Sequence, residues 1–246
     1  MKKNLLMLTS LLIILFATSC SGDDDSPYNG YPPMTDPEDV CTSMDDINFM
    51  KFCYENYDVN GDGKVSISEA KAVDKMEVSS RNIKSILGIQ YFENLIELYL
   101  SSDEVASLDI SKNLKLKELT VGGTSITTFD MSKNLSLETL YVSGSITSLD
   151  VSKNLNLKTL YISAPITSLD VSKNKQLGGL FLLFTKITTL DISSNLNLNG
   201  LSIDFHSLIG EGIYHLDDES SIEEVWLAKG QVLGMVLGKN TVVKYK

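Results

Sequence analysis

Apolar residues recur in one fixed pattern through the middle of the chain. Each copy has the form Leu-x-x-Leu-x-Leu, and valine or isoleucine replaces the last leucine in several copies. The last two apolar positions alternate with outward-facing ones, which predicts a short strand with one buried face. The copies are Leu95-Leu98-Leu100, Leu116-Leu119-Val121, Leu137-Leu140-Val142, Leu157-Leu160-Ile162, Leu177-Leu180-Leu182 and Leu198-Leu201-Ile203, with degenerate copies at Val73-Met76-Val78 and Ile222-Val225-Leu227. We therefore expect eight stacked strands.

A polar phrase of the form Leu-Asp-x-Ser-Lys-Asn separates the strands. Its copies are Leu108–Asn113, Phe129–Asn134, Leu149–Asn154, Leu169–Asn174 and Leu190–Asn195, with Phe129 in place of leucine and Ser194 in place of lysine. Their asparagines are 21, 20, 20 and 21 residues apart. A period of 20–29 residues built on leucines is typical of a leucine-rich-repeat solenoid. The predicted fold is mainly β: a solenoid of short, 20–21-residue repeats. Such solenoids mostly present extended surfaces for binding.

The same phrase is expected to turn the chain within each repeat. A buried turn leaves backbone donors and acceptors that must be paired, and Asn and Asp side chains can pair them locally. A column of calcium-binding aspartates is the alternative, but structural hydrogen bonding explains the same residues. Many leucine-rich repeats place an asparagine three residues after the strand. That position holds Asp103, Thr124, Ser145, Pro165 and Thr185 here, so the turn must carry the polar stacking.

Two short helices are predicted before the repeats. Ser43 is a candidate N-cap of the first helix, which should end near Tyr57. Its apolar face is formed by Ile47, Met50, Phe52, Cys53 and Tyr57. The second helix should start near Ser66 and end near Ala72.

The segment between these helices, from Asp58 to Glu69, fits the twelve-residue EF-hand calcium loop. Gly63 stands where the sharp turn is needed, and Val65 should point inward. The ligand positions are Asp58, Asn60, Asp62, Lys64 through its carbonyl, Ser66 through a water, and Glu69. A loop that keeps the turn without binding metal is the alternative. Because sensor EF-hands act in pairs and only one loop is present, the predicted Ca²⁺ is structural.

The outward positions in the middle of the strands form a second pattern. They are Tyr99, Thr120, Tyr141, Tyr161, Phe181, Ser202 and Trp226. The five aromatic residues among them are the predicted ligand-binding residues, on the concave face of the solenoid, because aromatic side chains anchor binding sites. Leu183 and Phe184 would extend this apolar patch. Cross-strand pairing is the alternative, since Tyr, Phe and Thr also stabilise strands.

The amino terminus has the features of an export signal. Two lysines, an apolar run and small residues precede Cys20, and a short membrane anchor is the alternative. The segment resembles a bacterial lipobox, with Ala17 where that family has leucine, and this resemblance implies lipidation of Cys20. The acidic stretch 21–25 resembles surface lipoproteins of Bacteroidota. The predicted organisation is a signal peptide 1–19, a tether 20–42, an EF-hand-like module 43–75, the solenoid 76–204 and a C-terminal cap 205–246.

From about Asp45 to Ile203 the chain resembles Bacteroidota surface leucine-rich-repeat lipoproteins with an EF-hand-like segment before the array. That resemblance implies an outer-membrane lipoprotein, exposed on the cell surface, that binds a protein partner through its concave face. A glycan-capturing accessory protein of a polysaccharide uptake system and a purely structural envelope protein are the alternatives. The net charge of −11 argues against nucleic-acid binding, and the lipid anchor is the only membrane contact expected.

Catalysis is not expected, because the two histidines, His206 and His215, lie in the irregular tail and no catalytic motif accompanies them. Cys41 and Cys53 remain open to two interpretations. They can form a disulfide in an exported protein, or Cys53 can be a small core residue.

Overall fold

The computed structural model describes residues 36–79, 82–203, 205–206, 215–216, 222–229, 231, 234–236 and 241–246. The predicted signal peptide, Cys20 and most of the predicted tether lie outside these residues. No helix within the described ranges has the length and apolarity needed to cross a membrane. The end of the predicted tether is folded, because Asp39, Val40 and Cys41 are buried.

Two α-helices precede the repeats, with α1 spanning Ile47–Tyr57 and α2 spanning Ile67–Ala72. The N-cap of α1 is Asp46, so the prediction of Ser43 is wrong. Ser43 instead ends a 3₁₀ helix, Val40–Ser43, and its hydroxyl donates to the carbonyl of Val40. The predicted end of α1 and the Ser66 start of α2 are confirmed.

The predicted apolar face of α1 is confirmed for Met50, Phe52, Cys53 and Tyr57, which are buried or packed against the core, but not for Ile47. Phe49 and Cys53 are fully buried, whereas Ile47 is 72% exposed. Asp46 holds the start of the helix in place. Its Oδ1 accepts the backbone N–H groups of Asn48 and Phe49, and its Oδ2 accepts that of Lys84 at 2.7 Å. Burial raises the pKa of Asp46, but these backbone donors outweigh it and hold the pKa below its usual value.

Thirteen short strands follow among the described residues. They are β1 (Lys75–Val78), β2 (Glu97–Ser101), β3 (Glu118–Thr124), β4 (Thr139–Gly144), β5 (Thr159–Ser163), β6 (Gly179–Leu183), β7 (Thr189–Asp191), β8 (Gly200–Ile203), β9 (Phe205–His206), β10 (His215–Leu216), β11 (Glu224–Leu227), β12 (Gly234–Val236) and β13 (Val242–Tyr245). A second 3₁₀ helix, Ile89–Tyr91, lies between β1 and β2.

One parallel sheet of eight strands confirms the predicted solenoid, in the order β1-β2-β3-β4-β5-β6-β8-β12. Its apolar positions stay in register, so that Leu98 pairs with Leu119 and Leu119 with Leu140. These leucines belong to one buried cluster that continues into the helical module. A smaller parallel sheet has the order β13-β11-β7 and shares no strand with the eight-stranded sheet. The strands β9 and β10 pair with each other.

The last predicted repeat is misplaced. Ile222, Val225 and Leu227 are buried as expected, but β11 pairs with β7 and β13 instead of joining the eight-stranded sheet. The eighth strand is β12, which pairs with β8. Both sides of the solenoid core require the same alternation of apolar residues, so the pattern alone does not distinguish them.

The closing turns are joined by a ladder of buried asparagines, which confirms that the turn carries the polar stacking. The side-chain amide of Asn154 donates to the carbonyls of Met131 and Asn134 in the preceding repeat, at 3.1 and 2.9 Å. The asparagine ladder consists of Asn113, Asn134, Asn154, Asn174 and Asn195, all with no exposed surface. Their side-chain oxygens have no hydrogen-bond partner in the described part of the chain. The N–H groups of each side-chain amide therefore link one repeat to the preceding one.

Both ends of the ladder are closed. At the first repeat, Asn113 donates to the carbonyls of Ile89 and Phe92, in and just after the second 3₁₀ helix. At the last repeat, the side-chain amide of Gln231 donates to the carbonyl of Asn195 at 2.9 Å. Gln231 therefore continues the ladder from a segment in which the polar phrase is absent.

The aspartates of the polar phrase act within their own turns. Asp150 accepts the backbone N–H of Ser152 at 2.8 Å, and Asp170 accepts that of Ser172 at 2.8 Å. The backbone and side-chain hydrogen bonds of Ser152 hold the pKa of Asp150 below its usual value. These bonds account for the aspartate column without a metal.

Cys41 and Cys53 are free and buried. Burial raises the pKa of Cys53, and a hydrogen bond with Cys41 adds to the increase. The two thiols are thus neighbours in the helical module, and the structure has them in the reduced form.

We predict that Asn154→Ala lowers the free energy of unfolding by about 2–3 kcal/mol, because two buried hydrogen bonds to the preceding repeat are lost. Urea unfolding followed by circular dichroism measures the change. The matched control is Lys153→Ala, one residue away and exposed, which should change stability by less than about 0.5 kcal/mol. Equal losses of stability in Asn154→Ala and Lys153→Ala would contradict a structural role for the asparagine ladder.

Candidate binding face and calcium loop

The outward side of the eight-stranded sheet, called the open face below, brings most of the predicted ligand-binding residues together. Strand register aligns its central row from β2 to β8. This row reads Tyr99, Thr120, Tyr141, Tyr161, Phe181 and Ser202. Tyr99, Tyr141, Tyr161 and Phe181 are called the aromatic column.

Three rings of the aromatic column, those of Tyr141, Tyr161 and Phe181, are in contact in sequence along the sheet, and the column remains accessible. Tyr141 and Tyr161 have ring centroids 5.6 Å apart, and Tyr161 and Phe181 have centroids 6.2 Å apart. Tyr99 and Tyr141 are 41% and 42% exposed. Cross-strand contact between rings adds to sheet stability, and the exposed ring area is still available to a ligand.

Glycine makes room for one of these rings. A Cβ atom on Gly179 would lie 3.0 Å from a ring carbon of Phe181. Gly179 and Phe181 are two positions apart on β6 and therefore share the open face. The ring of Phe181 thus lies against the backbone of its own strand.

Trp226 lies outside the aromatic column, so its predicted place there is wrong. It belongs to β11 and pairs in register with Asp191 and Lys244 in the smaller sheet. The ammonium groups of Lys244 and Lys246 are 5.1 and 5.5 Å from the centroid of its ring, within the range of a cation–π contact. Lys244 also forms an ion pair with Glu224.

The smaller side chain of Thr120 interrupts the aromatic column and leaves a slot. Tyr99 and Tyr141 stand on either side of it, two strands apart, or about 9.6 Å. The slot has a volume of about 320 Å³, and its lining includes Tyr99, Thr120, Tyr141, Ser143 and Tyr161. A second concavity, of about 420 Å³, adjoins it and is lined by Lys75, Met76, Glu77, Glu97, Leu98, Tyr99, Glu118 and Thr120.

Phe184, just after β6, has an unusual backbone for a large residue. Its φ is 53° and its side chain is 57% exposed. Gly144 occupies the equivalent position two repeats earlier, with φ 99°. A left-handed backbone costs about 1–2 kcal/mol for a residue with a side chain, so Phe184 is a strained and exposed aromatic residue at the margin of the open face.

A row of exposed leucines was not singled out by the sequence analysis. It consists of Leu114, Leu135, Leu155 and Leu196, which are 54%, 56%, 54% and 70% exposed. Each directly follows an asparagine of the ladder. The signal was present in the repeats, but an apolar residue in an amphipathic pattern is ordinarily assigned to the core. We call this row the leucine row.

The predicted calcium loop has the turn that its glycines were expected to provide. Gly61 and Gly63 have φ values of 71° and 84°. The carboxylate of Asp58 accepts the backbone N–H groups of Gly61, at 2.8 Å, and Gly63, at 2.9 Å. Val65 is fully buried, as predicted. The Lys64 ammonium pairs with Asp36 at 2.9 Å, so its side chain is directed toward the segment before α1.

The side chains of the loop are hydrogen bonded to one another and to its backbone. The side-chain amide of Asn60 donates to Asp62 at 3.1 Å. One oxygen of Glu69 accepts the backbone N–H groups of Val59 and Asn60, and the other accepts the backbone and hydroxyl of Ser66. These bonds, first among them that from the Ser66 backbone, lower the pKa of Glu69.

The donor set of this loop fits a hard cation. Carboxylates of Asp58, Asp62 and Glu69, with amide, carbonyl and hydroxyl oxygens, are the ligands that Ca²⁺ prefers. In the described ranges, no three His, Cys, Asp or Glu side chains are grouped closely enough to form a metal site. Both oxygens of Glu69 accept backbone donors. A calcium ion at this loop would have to compete with those donors for the Glu69 carboxylate.

No protein-family model matches the chain, and no curated protein matches it in sequence. Several solved leucine-rich-repeat structures are similar in fold. An internalin, InlF, from Listeria monocytogenes has 15% identity and a TM-score of 0.49, with 86% of this chain and 72% of that chain covered. Internalin C2 from the same organism has 19% identity and a TM-score of 0.41, with coverages of 74% and 85%.

The functional domain of InlJ from Listeria monocytogenes, described as including a cysteine ladder, has 20% identity and a TM-score of 0.37. The match covers 82% of this chain and spans 59% of that domain. At such identities the likeness concerns the fold alone.

We predict that Phe184→Gly is more stable than Phe184→Ala by about 1 kcal/mol, because only glycine adopts positive φ without strain. Thermal or urea unfolding of the two variants provides the measurement. Exposed Thr167 serves as the control site, since its φ is not in the left-handed region. There, alanine should be the more stable substitution. The same order at both sites would contradict the strain at Phe184.

Proposed function

We propose that this chain is an exported lipoprotein that binds a protein partner through the open face of its solenoid. The aromatic column is the observation that carries this proposal. Tyr99 and Tyr141 each keep about two-fifths of their surface exposed on a regular sheet. Large aromatic side chains are enriched among the residues that dominate binding energy at protein interfaces.

The scaffold supports such a role because it fixes the column before a partner arrives. The rings stand on paired strands, and the turns between the strands are tied by the asparagine ladder. Side chains already ordered by their neighbours lose less conformational entropy on binding. Strain at Phe184 adds a second sign of function, because strained backbone tends to persist at binding sites.

Export and anchoring form the second part of the proposal. We infer lipidation of Cys20 from the small residues before it and from the lipobox resemblance. The Asp-, Ser- and Pro-containing segment after Cys20 supports a tether between an outer-membrane anchor and the helical module. Display at the cell surface would expose the open face to partners outside the cell.

A glycan ligand is a second candidate, and the rows beside the aromatic column favour it. Thr139 pairs in register with Thr159, and Ser143 with Ser163, so hydroxyl groups flank the rings of Tyr141 and Tyr161. Flat rings bordered by hydrogen-bonding groups can stack against sugar faces. The proposed role beside a polysaccharide uptake system rests on this arrangement.

We predict that Tyr141→Ala/Tyr161→Ala weakens partner binding at least tenfold, because two central aromatic side chains are removed. Envelope proteins are captured on the intact chain, and the captured protein is then purified and titrated by calorimetry. The control is Leu135→Ala/Leu155→Ala in the leucine row, which should leave the affinity unchanged.

An unchanged affinity in the tyrosine variant would contradict binding at the open face. A polysaccharide panel is tested in parallel with the same variants. Binding of a polysaccharide, lost in the tyrosine variant and without a captured protein, would establish the second candidate in place of the first.

Calcium is the third part of the proposal, with Asp58, Asn60, Asp62, Lys64, Ser66 and Glu69 as its ligands. We predict that 5 mM Ca²⁺ raises the melting temperature by about 2–9 °C over chelator. This range follows from dissociation constants of about 10⁻⁴–10⁻³ M and the domain size. Asp58→Asn keeps an acceptor for the loop backbone but removes a charge, so its calcium-dependent shift should disappear. A calcium shift that persists in Asp58→Asn, or no shift in the unsubstituted chain, would reject the site.

A further inference from the structure

The amino-terminal end of the open face is acidic. Glu77, Glu97 and Glu118 lie on β1, β2 and β3, and all three line the concavity beside the slot. Lys75 pairs with Glu97 at 2.8 Å. Glu118 is exposed and has no ion-pair partner among the described residues. One lysine against three glutamates leaves a local excess of negative charge that favours a cation.

The slot and the acidic concavity form one continuous feature. They share Tyr99 and Thr120 in their linings. The walls of the slot are aromatic, and Glu118 lies two positions before Thr120 on β3, on the same side of the sheet. A ligand in this feature meets aromatic rings at one end and a carboxylate at the other.

A lysine or arginine side chain matches this order of surfaces. Its methylene groups can be covered by apolar walls while its charged end stays near water and a carboxylate. Aromatic faces also attract a cation. A free inorganic cation would use the carboxylates but gain nothing from the apolar walls of the slot.

The chain contains a filled version of the same arrangement in its smaller sheet. Glu224 and Trp226 are two positions apart on β11, as Glu97 and Tyr99 are on β2. Lys244 from the neighbouring strand β13 pairs with Glu224 and lies 5.1 Å from the centroid of the Trp226 ring. On the open face, Lys75 from the neighbouring strand β1 pairs with Glu97. Glu118, one strand further, forms no ion pair among the described residues, and no lysine of the described ranges lies over the rings of Tyr99 and Tyr141.

We propose that the slot between Tyr99 and Tyr141 receives a lysine or arginine side chain of the protein partner. The aliphatic part packs on Thr120, and the charged end is held by Glu118. This inference rests on the proposed function, because it specifies the chemistry of the partner at the open face.

The test uses Nα-acetyl-lysine N-methylamide, whose side-chain ammonium is free, and its neutral analogue, Nα-acetyl-norleucine N-methylamide, as probes. Each is titrated into the intact chain at 0.15 M salt, near which charge is screened beyond about 8 Å. Binding is followed by NMR of threonine methyl groups, which include that of Thr120 in the slot. We expect the lysine probe to bind at least about fivefold more tightly than the norleucine probe.

Three variants separate the contributions. Glu118→Gln should abolish the preference for lysine and leave norleucine binding unchanged. Thr120→Tyr should abolish binding of both probes, because it fills the slot without changing the charge. Glu223→Gln removes an equal charge on the other side of the core and should change neither, and circular dichroism confirms that each variant is folded.

Equal binding of the two probes would overturn the inference, as would equal losses in Glu118→Gln and Glu223→Gln, which would indicate net charge alone. If neither probe binds but capture of a partner still depends on Tyr141 and Tyr161, the inference of a lysine or arginine side chain in the slot is overturned. The proposed function is then unaffected. If the lysine probe binds but capture of a partner does not depend on the aromatic column, two conclusions fall together. These are the assignment of the slot to a partner's side chain and the proposed function.

Discussion

The hydrogen bonds of the asparagine ladder are the interaction on which the solenoid depends. Each repeat must reverse its chain in the interior, where backbone carbonyls have no access to water. One buried amide per repeat solves this by donating to two carbonyls of the preceding repeat, as Asn174 does to Val151 and Asn154. Because the donor belongs to one repeat and the acceptors to another, the ladder sets the spacing and register of neighbouring repeats. The strands then pair in line from β1 to β12.

This constraint separates the positions that hold the fold from those free to vary. The inward leucines and the turn asparagines are fixed by burial, and the outward positions of the strands are not. Aromatic, acidic and small residues are therefore distributed along the open face without a cost to the core. Thr120 between Tyr99 and Tyr141 shows the consequence, because one smaller residue in a regular row creates a slot. Phe184, where an earlier repeat has glycine, shows a residue retained despite backbone strain.

The repeat period and the Leu-x-x-Leu-x-Leu pattern were sufficient to predict the solenoid and seven of its eight sheet strands, because burial imposes that pattern directly. The turn of the predicted calcium loop and the start of α2 at Ser66 were predictable for a similar reason, since they depend on local sequence. Asp46, Gln231 and Trp226 were not. Asp46 bonds to Lys84, and Gln231 to Asn195, across long separations in sequence. Trp226 fits the alternation of either sheet, and only the pairing of β11 with β7 distinguishes them.

Ring-to-ring contact in the aromatic column does not decide between sheet stabilisation and binding, because the same contacts serve both. A ring held by its neighbours has already lost its rotational freedom, so a ligand that stacks on it does not bear that cost again. The two aromatic sites differ in what their own sheet provides. Lys244 of β13 and Lys246 lie over the ring of Trp226, and Lys244 is also paired with the carboxylate of Glu224. Tyr99 and Tyr141 flank a slot beside Glu118, which forms no ion pair among the described residues although Lys75 pairs with the neighbouring Glu97. The lysines that cover the ring in one sheet have no counterpart over Tyr99 and Tyr141 in the described part of the other, and this difference is the physical basis for seeking a basic partner at the open face.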